Sequence, residues 1–169
     1  VNSDAIITLG LGAIETDNPS NANTFTSNKD FLVWGNDNGV INTTIETEII
    51  CAPEKTIGRK WKIVETGNVG SVEITATKSI IDAALNTAFT IKVLKVADDI
   101  NFTTNVNYVP LTEDGAVYTA DYDFDGIKFF TYSEINGIFW NGGETLAADR
   151  WKGGFNSGKP TTNTADRDK

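Results

Sequence analysis

The stretch 57–78, IGRKWKIVETGNVGSVEITATK, restricts the fold more than any other part of the chain. Ile57, Trp61 and Ile63 fall on one side going out, and Val72, Ile74 and Ala76 fall on one side coming back. A period of two is the mark of a strand with one buried face. Thr66-Gly67-Asn68 separates the two runs, and Gly67 and Gly70 supply the backbone freedom a tight turn needs. The stretch therefore predicts a hairpin. Trp61 anchors a core, while Arg59, Lys60, Lys62 and Glu65 stay near water.

The same period recurs elsewhere. Residues 4–12 read as a strand ending in glycine. Residues 15–30 read as a polar loop held by Phe25. Residues 31–34, FLVW, are apolar and β-prone, which predicts a central strand buried on both faces. Gly35-Asn36-Asp37-Asn38-Gly39 signals a turn. Residues 40–50 alternate as a half-buried strand, and Pro53 breaks that pattern. Residues 79–87 suit one or two helical turns with Ser79 as N-cap and Asp82 at the third position. In 88–97, Phe89, Ile91, Val93 and Lys95 share a side. Residues 98–110 read as a loop, and two further strands fill 116–135 around Asp125-Gly126.

Short strands with almost no helical period predict an all-β fold, an antiparallel β-sandwich of Ig-like or jelly-roll-like type. Trp34, Trp61, Phe89, Tyr118 and Phe130 are its expected core. Residues 1–135 would form this domain. Residues 136–169 are rich in Gly, Asn, Thr and Asp yet hold Trp140 and Trp151, and they read as an extension or a junction to a following module.

Composition removes several functions. A net charge of −9 with no basic stripe argues against nucleic acid and anionic membrane. No apolar run approaches the roughly 20 residues that span a bilayer. The chain has no histidine, so neither a Ser-His-Asp triad nor imidazole ligands for zinc can form. The single cysteine, Cys51, reads as a small buried hydrophobe. No signal peptide or initiator methionine precedes Val1, which suggests a mature product or a piece of a longer polypeptide.

Two groups of residues carry candidate chemistry. Asp121, Asp123 and Asp125, followed by Gly126, match the opening of a calcium loop, whose hard oxygen ligands alternate in this way. The twelfth position, however, is Tyr132 rather than glutamate. The same residues equally describe a strand with Tyr118, Ala120, Tyr122 and Phe124 inward and the acids in water. Calcium is the one cofactor this pattern would hold, with Asp98, Asp99, Glu113 and Asp114 available from neighbouring loops. Trp140 and Trp151 would either stack sugar rings, with Asn141, Glu144, Asp149 and Arg150 nearby, or anchor the extension. A hydrolase would need two carboxylates across a cleft, and no pair is singled out. The glycines at 10, 12, 67 and 70 precede no helix pattern, so they match no phosphate-binding fingerprint. Asn42 and Asn101 open N-glycosylation sequons.

Four segments together, NSDAIITLGLG (2–12), NKDFLVWGNDNG (28–39), GRKWKIVETGNVGSVEI (58–74) and DFDGIKFFTY (123–132), resemble a recurrent β-domain of very large flavobacterial and other Bacteroidota surface proteins. Those proteins resemble gliding-motility adhesins and substrates of the type IX secretion system. The tail segments around Trp140 and Trp151 resemble the junction that opens a next segment. The resemblance implies a secreted, non-catalytic cell-surface module serving as spacer or adhesion domain. Its partners would be neighbouring domains of the same chain, and polysaccharide or surface glycans. Trp61, Gly67 and Gly70 would be structural. A carbohydrate-binding module using Trp140 and Trp151 is the alternative, and a polysaccharide-acting hydrolase domain is a second.

Overall fold

The computed structural model describes residues 6–42, 44–49, 52–85, 91–135, 138–140 and 151–153, with backbone alone over 44–49, 52–53, 138–140 and 151–153. In chain order the strands are β1 (Ile7–Leu11), β2 (Phe31–Asn36), β3 (Thr44–Ile49), β4 (Ala52–Ile57), β5 (Trp61–Thr66) and β6 (Ser71–Thr77). A short helix, α1 (Lys78–Ala84), follows. Then come β7 (Ile91–Ala97), β8 (Asn107–Pro110), β9 (Thr112–Asp114), β10 (Val117–Asp123), β11 (Ile127–Ile135), β12 (Ile138–Trp140) and β13 (Trp151–Gly153).

The fold is an antiparallel β-sandwich. One sheet runs β1-β6-β10-β9. The other is built on β11. Its residues 129–135 pair with β7 along one edge, while β5 (at 127–130) and β4 (at 133–135) share the opposite edge end to end. β2 then pairs outside β5, β3 outside β4, and β8 outside β7. The gap between β4 and β5 is bridged by the buried Thr131 hydroxyl, which donates to the Arg59 carbonyl at 2.8 Å.

The core fills the space between the sheets, as alternation requires. Trp61, Ile63 and Ile57 come from one sheet, and Val72, Ile74 and Ala76 from the other. Trp61 is 2% exposed. It stacks on Phe130 at 5.5 Å and meets Tyr132 edge-on at 5.7 Å. Tyr118 and Phe130 join the same core, as expected.

The predicted hairpin at 57–78 is a corner instead. β5 and β6 lie in different sheets, so the Gly67–Gly70 turn carries the chain from one layer to the other. The periodicity identified both inner faces but could not tell pairing from packing. Gly67 (φ +82°) and Gly70 (φ +78°) do occupy the left-handed region. The Glu65 carboxylate closes the corner by accepting the Val69 N–H at 2.8 Å.

Other expectations change as well. Residues 31–34 form not a central strand but the edge strand β2, because an apolar run does not reveal which strand finds a second neighbour. Trp34 is 38% exposed and Phe25 half-exposed, so neither is a core anchor. Arg59 is buried, its Nε donating to the Gly39 carbonyl at 2.8 Å. Pro53 lies inside β4, opposite Glu48 of β3, and the position across from it on the β11 side lies outside the described residues. The N-cap of α1 is Thr77 rather than Ser79. β8 lies within the predicted loop 98–110. Cys51, Phe89 and nearly all of the 136–169 extension lie outside the described residues. The alternating side chains read over 43–50 lie outside them too.

Candidate functional site

Among the described residues three places hold chemistry. The first is the acidic motif. Asp121 and Asp123 alternate along β10 and Asp125 follows it, all three exposed. Tyr118 and Ala120 are buried, Phe124 is fully buried and Tyr122 is partly so. The period-two reading therefore accounts for the motif. Tyr132, at the twelfth position of the calcium pattern, is buried against Trp61. Among the described residues no three acidic or cysteine side chains converge on one point. Asp98 is engaged by Lys128 at 2.7 Å and by Asn105 at 2.6 Å. These bonds hold its carboxyl below its ordinary range. Asp99 accepts the backbone N–H groups of Asn101, Thr103 and Thr104. Glu113 lies 3.6 Å from Lys78.

The second place is polar and buried on the outer face of the β11 sheet. Alternation turns Phe130 and Tyr132 inward, which leaves Thr131 and Ser133 facing out. Lys95 of β7 and Glu54 of β4 meet across β11, with Nζ 2.8 Å from Oε1 and 2.9 Å from Oε2. Tyr108 donates to Oε2 at 3.2 Å and Thr56 to Oε1 at 3.1 Å. Burial, with the Glu54 carboxylate beside it, pushes the Tyr108 hydroxyl well above its usual range. The Lys95 ammonium also sits 5.5 Å from the rings of Phe102 and Tyr108. A smaller network at one end joins Asp82 to Lys78 (3.0 Å), Lys92 (3.3 Å) and the Tyr118 hydroxyl (2.8 Å). Burial and this bond raise the Tyr118 hydroxyl to about 12. Spacing gave no signal for the Lys95–Glu54 pair, because its partners are 41 residues apart. An unexpected lysine inside a strand pattern was the one available clue.

The third place is the open edge at β2. Its segment FLVWGN carries no charge and no proline. Phe31 is 47% exposed and Val33 58%. Edge strands ordinarily carry charge, proline or a bulge, because an apolar edge invites pairing. Val33, Val64 and Ile127 form one row across three strands, with Gly35, Lys62 and Phe129 in the next. Over them lies a hollow of about 370 Å³, also lined by Ile100, Lys60 and Asp37. Between the sheets, below β2, lies a second hollow of about 170 Å³ lined by Leu9, Leu11, Phe25, Leu32, Trp34 and Val72. Trp140 and Trp151 are direct partners in the β12–β13 ladder; their side chains lie outside the described residues.

These features define an antiparallel β-sandwich domain with a buried ion pair and an uncharged apolar edge. The chain belongs to the family described as Domain of unknown function (DUF8202), which matches residues 1–129. No curated protein and no solved structure matches it.

Proposed function

We propose that this chain is a non-catalytic module of a large extracellular, adhesin-like protein of the Bacteroidota surface type, acting through contact rather than turnover. The observation that carries this reading is the β2 edge, where Phe31, Val33 and Trp34 stand 47%, 58% and 38% exposed together on one uncharged strand. The shifted titratable groups support it too. Asp82, Asp98, Tyr108 and Tyr118 are tied into hydrogen bonds that fix structure. A second reading, a carbohydrate-binding module, is favoured by the register that sets Trp140 directly opposite Trp151. Directly opposed aromatic positions suit a stacking platform.

One screen of polysaccharides and surface glycans separates these readings, run with calcium and then with chelator. Binding abolished by Trp140→Ala or Trp151→Ala would establish the carbohydrate-binding module. Release of reducing ends would refute a non-catalytic role. Antibody against the chain should label intact cells, and labelling only after permeabilisation would refute the surface assignment. Asp123→Asn should leave the melting temperature unchanged in calcium and in chelator. A calcium-dependent rise lost in that variant would make the acidic motif a metal site.

A further inference from the structure

We infer that β2 pairs with β2 of a second copy, antiparallel and in one register, so that the β11 sheets of two molecules become continuous. The backbone fixes which groups are free. The Asp37 N–H donates to the Lys60 carbonyl at 3.0 Å, so 37 and 60 form a hydrogen-bonded pair. Alternation then turns the N–H and C=O groups of 31, 33 and 35 toward β5, and those of Leu32, Trp34 and Asn36 toward the open edge.

A two-fold axis beside Val33 satisfies these groups. Leu32 then exchanges both hydrogen bonds with Trp34 of the second copy, and Trp34 with Leu32. Val33 faces Val33, and Phe31 faces Gly35 in the closer, non-hydrogen-bonded kind of pair. Gly35 suits this role, because a Cβ built there meets nothing within 4 Å. An aromatic ring laid across an edge glycine is a known stabilising pair in sheets. Phe31 of the second copy would enter the hollow above Gly35, between Lys62 and Val64. The Lys62 ammonium already lies 5.9 Å from the Phe129 ring and would flank the incoming ring as well.

Charge favours a second copy as the occupant. The paired segment is itself uncharged. Each end carries both signs, Lys29 and Asp30 at one and Asp37 and Lys60 at the other. The two-fold brings the Lys29 end of one strand to the Asp37 end of its mate, so opposite charges meet. The net charge of −9 on each molecule opposes approach over distance, and salt screens that term. One strand pair buries less than the ~800 Å² per partner of a stable complex, so the dimer should be weak.

The test is sedimentation velocity from micromolar to millimolar chain, at low and at high salt. A monomer–dimer equilibrium strengthened by salt is expected. Val33→Lys sets two ammonium groups face to face and should weaken dimerisation about tenfold or more. Val33 is 58% exposed, so the variant should melt as the parent does. In a Cys51→Ala background, Val33→Cys should form an interchain disulfide on mild oxidation. Ile127→Cys, 52% exposed on the same sheet face, should not. A monomer under all conditions overturns the proposal, as does a dimer indifferent to Val33→Lys. Equal cross-linking by the two cysteine variants overturns the register.

Discussion

Replacing Glu54 with glutamine should cost far more than replacing Glu54 and Lys95 together. In the parent, the Lys95 ammonium touches both oxygens of Glu54, at 2.8 and 2.9 Å, and the two side chains are 9% and 1% exposed. Two unit charges about 3 Å apart attract by about 5 kcal/mol at an effective dielectric near 20. Desolvation costs several kcal/mol per ion, so the pair gains little over an apolar replacement. Breaking it is different. Glu54→Gln keeps the shape, but only one of the Thr56 and Tyr108 hydroxyls can still donate to it while the other must accept from the new amide N–H. It also leaves a buried cation, at a cost of about 3–5 kcal/mol. Lys95→Met leaves a carboxylate that still accepts from two hydroxyls, so its cost should be smaller. The double variant should return to within about 1–2 kcal/mol of the parent. Urea unfolding followed by tryptophan fluorescence measures all four corners of the cycle, provided the slope with denaturant is constant. Additive losses, with a coupling below about 0.5 kcal/mol, would refute the reasoning.

Three other outcomes are expected. Trp61→Ala should cost about 3–5 kcal/mol, since it empties a large core site and removes two ring contacts, and a loss below about 1 kcal/mol in the same assay would remove Trp61 from the core. Tyr132→Phe should be neutral or stabilising by about 1 kcal/mol, because its buried hydroxyl has no hydrogen-bond partner among the described residues; a clear loss in thermal melts would mean the hydroxyl is satisfied. Stability should be full above about pH 4 and fall below it, because the unfolded chain takes up protons before the folded one. Asp98, held down by its bonds from Lys128 and Asn105, contributes in this way. So does Asp82, where burial pushes up but the bonds from Lys78, Tyr118 and Lys92 prevail. An Asp98→Asn chain with the parent's acid profile would contradict the Asp98 part.

The sequence carried the inner faces of β5, β6 and β10 well and neighbours poorly. In β7 the expected side of Ile91, Val93 and Lys95 is the outer one, and Leu94 and Val96 face the core instead. Both faces of that strand are covered, and alternation cannot choose between them. Trp61, Ile63, Val72 and Ile74 were legible because each alternates with polar residues, and alternation is local. Whether β5 bonds to β6 or packs against it depends on β11 and β10, which arrive more than 40 residues later. For the same reason FLVW looked buried. Nothing inside those residues records that β2 has no outer neighbour among the described residues. Pro53 read as a break although β4 runs through it, paired with Glu48 of β3. The acidic motif was legible in both of its senses, and the burial of Tyr118, Ala120 and Phe124 accounts for its spacing. The Lys95–Glu54 pair was not legible, since strand register across β11 creates it.

The position of β11 also governs how the chain folds as it is made. Strands β4, β5 and β7 all take hydrogen bonds from β11, the last strand of the sandwich to be synthesised. Until residue 135 is available, one whole sheet has no centre, and β2 is exposed beside a β5 that is itself half-paired. Topologies dominated by such distant pairings fold in about milliseconds to seconds. The family match ends at residue 129, inside β11, before the residues that pair with β4. A chain cut at that point would lose most of the closing strand while keeping its uncharged apolar edge, and would be expected to aggregate rather than fold.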